Sequence, residues 1–186
     1  MNQVAQHHPF GVLALLSVFS LVFGWFGGMT VGQGKPDVES MANLHARCDA
    51  LIVLGRSVHA VPMLQDVIAW RENNLGFGHE STIRARLSLA SAWRYMRRWD
   101  AAVPHLQRTV ALVRGRGDIS MQLKGTVHAR LGEGLAAFGQ RSEAVSELEQ
   151  ARMLLRDSGE SAELAEAVDR LIESLRPEPD SSESQE

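Results

Sequence analysis

The chain has 186 residues, enough for one modest domain and a short additional segment. Its formal net charge of −3 argues against a general nucleic-acid-binding protein, which would usually be basic, so we expect no nucleic-acid partner. Its single cysteine, Cys48, excludes an intramolecular disulfide bond.

The first predicted element is a membrane anchor at residues 10–32, which follows a short tail at 1–9. The first 34 residues contain no Asp, Glu, Lys or Arg. As a helix, residues 10–32 would span about 35 Å, enough for a hydrocarbon core of roughly 30 Å. We therefore expect a single-pass transmembrane helix that contacts the lipid bilayer. The alternative is a secretory signal cleaved after Gly32, although the tail lacks the basic residues that usually begin such a signal.

The flanks of this segment bear on its orientation and its packing. Lys35 and Arg47 follow it and no basic residue precedes it, which under the positive-inside rule favours a cytoplasmic repeat domain. The periplasmic side stays open as the alternative. Gly24, Gly28 and Gly32 form a small-xxx-small ladder along which two membrane helices can approach. This ladder predicts a homodimer through the membrane helix. The alternative is that the glycines only make the chain more flexible where it leaves the bilayer.

After a linker at 33–36, three segments align at a constant spacing of 42 residues. An Ala-Val-x-x-Leu element begins at Ala60, Ala102 and Ala144. In the same frame, a small residue is followed three positions later by a large apolar one; these pairs are Cys48 and Leu51, Ala90 and Trp93, and Gly132 and Leu135. A fixed period of this size indicates an array of supersecondary units. Small residues let paired helices approach, and large residues fill the space between pairs.

The pattern predicts seven helices over a repeat domain at 37–176. Their predicted ranges are 37–55, 59–74, 79–97, 99–114, 119–139, 142–157 and 161–176. Gly55 and Gly139 suit left-handed helix ends, and Pro62 and Pro104 are expected near the start of a second helix, where a missing N–H costs least.

The last predicted helix has one apolar stripe, formed by Leu164, Val168, Leu171 and Leu175. Such a helix can cover the open end of a stack and present a polar face to solvent. The tail at 177–186 has no apolar side chain besides proline, and we expect it to be disordered.

These residues resemble the tetratricopeptide repeat family. In the third unit, the family's signature spacing is matched by Leu131, Gly132, Leu135, Gly139, Ala144, Leu148 and Ala151. The 42-residue period and the linker Leu75–Thr82 are similar to the kinesin-light-chain subtype. The resemblance implies an all-α solenoid of three helical hairpins plus a capping helix, preceded here by one transmembrane helix. The second unit departs from the pattern at Arg97, where Gly is usual, and at Thr109, where Ala is usual.

The resemblance implies a protein–protein interaction scaffold with a concave groove lined by the first helix of each hairpin. Residues 81–99 contain five arginines and no acid. On the family's geometry, we expect a groove site formed by Arg84, Ser91, Arg94, Tyr95 and Arg98. Such a site would take a protein or peptide partner with an acidic segment. The alternative is that the arginines form a solvated face.

The sequence contains no pattern that predicts catalysis, a cofactor or a metal site. Its histidines are scattered and lack the spacing of known metal motifs. The loop at Gly76–Gly78 lacks the Lys-Ser/Thr that would follow in a phosphate-binding loop. We therefore predict a membrane-anchored adaptor without enzymatic activity. The alternative is a secreted or periplasmic binding protein released by cleavage after Gly32.

Overall fold

The computed structural model describes residues 36–158 and 162–176. In these two ranges the chain forms α-helices and no strand. The helices are α1 Val38–Val53, α2 Ser57–Asn74, α3 Glu80–Tyr95, α4 Trp99–Val113, α5 Met121–Ala137, α6 Arg141–Ser158 and α7 Ala162–Leu175. Each of the seven predicted helices is present, and its ends differ from the predicted ends by no more than two residues.

The helices pair into three antiparallel hairpins, α1–α2, α3–α4 and α5–α6, with α7 packed on α6. The first helix of each hairpin also contacts the first helix of the next, and α5 contacts α7 in the same way. This is the layering of a helical solenoid. Because the first helices run side by side, the three turns within hairpins, at 54–56, 96–98 and 138–140, lie on one edge of the stack. We call this the turn edge.

The repeated small and large residues occupy the predicted positions in the packed interior. Ala60, Ala102 and Ala144 are completely buried, and so are the leucines four positions after them. Cys48 and Ala90 are buried on the first helices of their hairpins. This confirms the hairpin alignment, because side chains at these places would otherwise separate the paired helices.

In the third hairpin, α5 and α6 come into close contact at two glycines of α5. A Cβ added at Gly132 would lie 2.5 Å from Leu148 Cγ and 3.1 Å from the carbonyl oxygen of Ala144. A Cβ added at Gly125 would lie 2.7 Å from Leu155 Cγ. Both distances to carbon are shorter than van der Waals contact, so glycine is needed for α5 and α6 to approach this closely.

The turns within the hairpins share a left-handed residue. Gly55 has φ of 73° and Gly139 has φ of 84°, as the sequence predicts. In the second hairpin the same place is taken by Arg97, with φ of 56°. A side chain in this conformation costs roughly 1–2 kcal/mol relative to the right-handed one, so the second turn is less favourable than the other two.

The two prolines lie deeper in their helices than the sequence analysis places them. Since α2 begins at Ser57 and α4 at Trp99, Pro62 and Pro104 are each the sixth helical residue. Their missing N–H is therefore one that the helix would have used, not one of the unpaired first-turn groups.

The capping role of α7 is confirmed by its packing. Val168 and Ile172 are buried against Leu148, Ala151 and Leu155. At the far end of α7, the guanidinium of Arg141 donates to the backbone carbonyls of Leu175 and Arg176. These bonds satisfy helix-terminal carbonyls that would otherwise lack a partner, and they place the end of α7 at the turn edge.

Several predicted features lie outside the described residues. They are the tail at 1–9, the membrane segment at 10–32 with its glycine ladder, most of the linker at 33–36 and the acidic tail at 177–186. Among the helices described here, none combines the length and apolar character needed to cross a bilayer.

Candidate functional site

A groove of about 350 Å³ runs across the first helices of the three hairpins. Its walls come from α1, α3 and α5, as the sequence analysis predicts for a binding surface. The lining residues are His45, Asp49, Arg84, Leu87, Ser88, Gln122, Leu123 and Thr126. Most of these side chains are polar, so the floor offers hydrogen bonds more than apolar contact.

A partly buried hydrogen-bond network fixes the floor at the first hairpin. Arg71 on α2 donates to His45 Nδ1 at 3.0 Å and to the carbonyl oxygen of Ser81 at 2.6 Å. His45 Nε2 lies 2.9 Å from Ser88 Oγ. Since Nδ1 accepts from Arg71, Nε2 carries the hydrogen and donates to Ser88. Burial lowers the pKa of His45, and it also lowers the pKa of Arg71, which is 5 % exposed.

Arg84 lines the groove. Its guanidinium is 2.6 Å from Glu80 one helical turn earlier, and its side chain is half exposed. Ser88, Ser91 and Tyr95 follow Arg84 at spacings of four, seven and eleven residues, which places all four on one face of α3. Tyr95 lies at the end of this face, where the groove meets the turn edge.

Arg94 bridges the first helices of the second and third hairpins. Its Nη1 lies 3.4 Å from Glu133 Oε1 on α5, and Arg130 Nη1 lies 3.0 Å from the other oxygen of Glu133. The Arg94 guanidinium carbon is 4.5 Å from the centre of the Tyr95 ring, a cation–π contact. Two arginines thus share one carboxylate, which leaves a net charge of +1 in this cluster.

Arg98 does not lie with the other predicted groove residues. It is the N-cap residue of α4, in the turn of the second hairpin, and it pairs with Asp100 at 3.0 Å. The structure therefore places Arg84 and Ser91 along the groove face, Arg94 and Tyr95 at its end, and Arg98 beyond it. The five residues do not form one compact cluster.

The positive charge expected from the arginine run is largely balanced by acids. Four of its five arginines have an acidic partner; the pairs are Arg84–Glu80, Arg86–Glu72, Arg94–Glu133 and Arg98–Asp100. All four acids lie outside residues 81–99, so the composition of that segment alone overstates its local potential.

A second pocket, which the sequence analysis missed, opens between α5, α6 and α7. It has a volume of about 450 Å³ and is lined mostly by aliphatic side chains, including Ala129, Leu148, Leu164, Val168 and Leu171. We call it the end pocket. The apolar stripe of α7 is the sequence signal for this pocket: Leu164 and Leu171 belong to the stripe and stay partly exposed instead of being used entirely for packing.

Charged residues lie at the rim of the end pocket. Arg130 and Glu133 line it from α5 and Arg170 lines it from α7. Because Glu133 also pairs with Arg94, one ion-pair cluster joins the end pocket to the groove. In the part of the chain that the structure describes, no three His, Cys, Asp or Glu side chains are grouped so that they could hold a metal ion.

The order and stacking of these hairpins define a tetratricopeptide-like repeat fold, shared with solved structures of such proteins. No protein-family model matches the sequence, and no curated protein matches it. One similar structure is a Podosopora anserina kinesin light chain with nearly identical TPR-like repeats, at 22 % identity and a TM-score of 0.64. The match covers 73 % of this chain and 64 % of that one, so this chain spans less than two thirds of its length.

A second similar structure is the Yersinia enterocolitica type III secretion translocator chaperone SycD. It has 18 % identity to this chain and a TM-score of 0.62, and the match covers 76 % of this chain and 96 % of SycD. At these identities the likeness establishes the fold. Both neighbours belong to a fold that is typical of protein–protein interaction.

Proposed function

We propose that this protein is a membrane-anchored scaffold that recruits a protein partner through the groove and the end pocket. One observation carries the proposal: the first helices of three hairpins and the capping helix form a surface that joins a polar floor to an aliphatic pocket. Recognition of a chain segment commonly combines hydrogen bonds that fix its register with a pocket that takes an apolar side chain.

The extent of this surface favours a chain segment over a small ligand. Neighbouring helices pack about 10 Å apart, so the path from α1 across α3 and α5 to α7 is about 30 Å long. An extended peptide of about nine residues covers that distance. We propose that one large apolar side chain of the segment enters the end pocket, with its backbone along the polar floor.

Arg84, Ser91, Arg94, Tyr95 and Arg98 remain the proposed contacts for an acidic part of the partner. Arg84, Arg94 and Arg98 already pair with acids of this chain, so a partner carboxylate has to replace the acid in each pair. An exposed ion pair contributes only about 0–1 kcal/mol, so a partner carboxylate can displace Glu80 from Arg84 at small cost. The resulting affinity should be moderate and should fall as salt is added.

Membrane attachment is part of the proposal and rests on the uncharged segment at 10–32. We propose a single-pass protein with its repeats on the cytoplasmic side and with Gly24, Gly28 and Gly32 available for pairing of membrane helices. The alternative is a secreted or periplasmic protein cut after Gly32. Carbonate washing of native membranes and an intact mass separate the two, since only the anchored form stays in the pellet at full mass.

Blocking the groove tests the proposed binding site. The full chain is recovered from gently solubilised membranes as wild type and as Asp49→Arg/Thr126→Arg, which fills the groove between α1 and α5. The matched control is Met153→Arg, an exposed position on α6. We expect a partner that copurifies with the wild type and the control but not with the blocked variant. A partner retained equally by all three proteins would show that the groove is not its site.

Once that partner is purified, a binding titration tests whether Arg84 and Arg94 contribute to its affinity. The Arg84→Ala/Arg94→Ala variant should bind it more weakly, and the difference from wild type should shrink as salt is added. Equal affinity at low salt would assign these two arginines to a solvated face and remove the acidic segment from the proposal.

A further inference from the structure

Each of the three hairpins presents an exposed apolar side chain where its first helix ends. These are Leu54, 70 % exposed, Tyr95, 57 % exposed, and Phe138, 58 % exposed. Apolar side chains that stay mostly exposed gain little from burial, and their presence at three successive helix ends is not needed for packing. Single exposed apolar residues are ordinary, but a repeated row marks a surface that can be covered.

The three side chains form a row at the turn edge, because Leu54 and Phe138 lie in its outer turns and Tyr95, the last residue of α3, directly precedes the turn between them. The Arg94–Glu133 ion pair joins the last turn of α3 to the last turns of α5, so Tyr95 and Phe138 belong to adjacent helix ends. Helices α1 and α3 are in contact in the same way. At a helix spacing of about 10 Å, the row from Leu54 to Phe138 is about 20 Å long.

An exposed arginine follows each apolar residue. Arg56 comes two positions after Leu54, Arg97 two positions after Tyr95 and Arg141 three positions after Phe138. Within the described residues, neither Arg56 nor Arg97 forms an ion pair. Arg141 donates to backbone carbonyls at the end of α7 and, among the residues that the structure describes, forms no ion pair.

We propose that the turn edge is a second docking surface, separate from the groove, and that it binds an acidic amphipathic helix of a partner protein. A helix places residues seven apart on one face with a rise of about 10.5 Å, close to the spacing between neighbouring turns. Apolar residues at positions i, i+7 and i+14 therefore match Leu54, Tyr95 and Phe138. A strand does not match, because same-face residues recur every 6.6 Å or so.

Charge favours a protein helix over an anionic bilayer. Carboxylates beside the apolar positions of a helix can meet the arginines that follow each turn. Two acids, Asp100 and Glu143, are also exposed near these turns, and Asp100 pairs with Arg98. A uniformly anionic surface would meet these acids as well as the arginines, whereas a helix can carry charges in a matching pattern.

The test uses a fluorescent, hydrocarbon-stapled helical peptide of about 18 residues, with leucines at every seventh position and glutamates beside them. Its binding to the full chain in nonionic detergent is followed by fluorescence anisotropy. We expect Leu54→Ser/Phe138→Ser to weaken binding about tenfold or more, and Arg97→Gly to weaken it a few-fold at low salt only. Met153→Ser, which removes an equally exposed apolar side chain from α6, should bind like wild type.

The same titrations overturn the proposal in three ways. Absence of binding to the wild type, or equal binding by Leu54→Ser/Phe138→Ser, excludes the turn edge as a helix site. If Asp49→Arg/Thr126→Arg no longer binds the peptide, the peptide binds in the groove and not at the turn edge. If phosphatidylserine vesicles bind the wild type but not Leu54→Ser/Phe138→Ser, and the peptide binds both proteins equally, the turn edge is a bilayer-binding surface. Tyr95 is left unchanged because it also faces the groove.

Discussion

The second and third hairpins follow the same 42-residue frame but fit their paired helices together differently. In the third hairpin, α5 has no Cβ at Gly132, and one placed there would collide with Leu148. The equivalent residue of the second hairpin is Ala90, which is buried and keeps its Cβ. The α3–α4 pair thus accommodates an atom for which the α5–α6 pair has no room.

The polar residues of the two hairpins differ as well. His105 on α4 lies edge-on to Trp93, with ring centres 5.2 Å apart, and its Nε2 is 3.1 Å from the carbonyl oxygen of Arg86. Forty-two residues later stands Glu147, which lies 2.7 Å from His128 Nδ1. The second hairpin encloses a single imidazole, and the third encloses an imidazole with a carboxylate.

This difference shows that the 42-residue spacing determines which positions of the paired helices meet. It does not determine which side chains occupy the space between the helices. In the third hairpin the helices meet at glycines, which leave no space for a side chain. The stability of this hairpin should therefore be sensitive to added side-chain volume. The second hairpin contains a partly buried titratable ring and a strained arginine, so its stability should be sensitive to protonation and to backbone conformation.

The largest expected effect comes from added volume. Ala144→Trp should destabilise the full chain by about 3 kcal/mol or more, because an indole cannot fit between α5 and α6. Ala102→Trp should cost less, because the second hairpin is less tightly closed. Urea unfolding followed by circular dichroism measures both. Ala111→Trp, on the exposed side of α4, is the control; tryptophan variants no less stable than this control would refute the hairpin alignment.

Protonation should weaken the second hairpin. Burial, together with the nearby Arg86, lowers the pKa of His105 to about 4, whereas an unfolded histidine titrates near ~6.5. Between these values the unfolded chain binds a proton that the folded chain excludes. The contribution of His105 is therefore complete above about pH 6.5 and is lost as pH falls towards 4, by up to about 3 kcal/mol.

The comparison of His105→Gln with wild type isolates this contribution. We expect the variant to lose less stability than wild type between pH 7 and pH 5, measured by urea unfolding at each pH. His59→Gln, at an exposed position on α2, controls for the loss of an imidazole elsewhere. Parallel curves for wild type and His105→Gln would mean that His105 takes up its proton without resistance from the fold.

A single methyl group should distinguish the hairpins. Gly132→Ala should cost about 1–2 kcal/mol through overpacking, even though alanine favours helix by about 1 kcal/mol over glycine. The reverse change in the second hairpin, Ala90→Gly, should also destabilise, by about 1 kcal/mol, through helix propensity alone. Thermal unfolding of the two variants checks this pair. A more stable Gly132→Ala protein would show that α5 and α6 can separate without penalty.

The smallest expected effect has the opposite sign. Arg97→Gly should stabilise the protein by about 1 kcal/mol, because glycine adopts the left-handed conformation without a steric cost. Gly139→Arg should destabilise by a similar amount in the third hairpin. The control is Arg98→Gly, since Arg98 has φ of −87° and gains nothing from glycine. An Arg97→Gly protein with an unchanged melting temperature would argue that the turn carries no strain.

The features that the sequence predicts best are those set by short-range periodicity. The small residues at Ala60, Ala102 and Ala144 recur in one frame, and each is completely buried. The same repeat predicts a packing role for Cys48; it is completely buried, and burial raises the pKa of its thiol. Such positions recur at a fixed spacing along the chain, so a linear pattern is enough to identify them.

The features that the sequence does not reveal depend on contacts between distant segments. Glu133 lies 39 residues after Arg94, and nothing in either segment indicates that the two side chains meet. The end pocket likewise requires the relative positions of α5, α6 and α7. The site was therefore predicted at the level of its helices, whereas its charge balance and its apolar part emerge only from packing.

The position of Trp93 has a consequence for how the solenoid comes apart. Its side chain packs against two clusters of buried residues, one formed by residues of α1, α2 and α3 and the other extending from α3 to α6. Repeat proteins behave as chains of units in which each stabilises its neighbour, and they unfold stepwise when that coupling is weak. Because one indole belongs to both clusters, loosening either cluster exposes it and weakens the other. We therefore expect Trp93 to couple the unfolding of the first two hairpins, so that the two melt together.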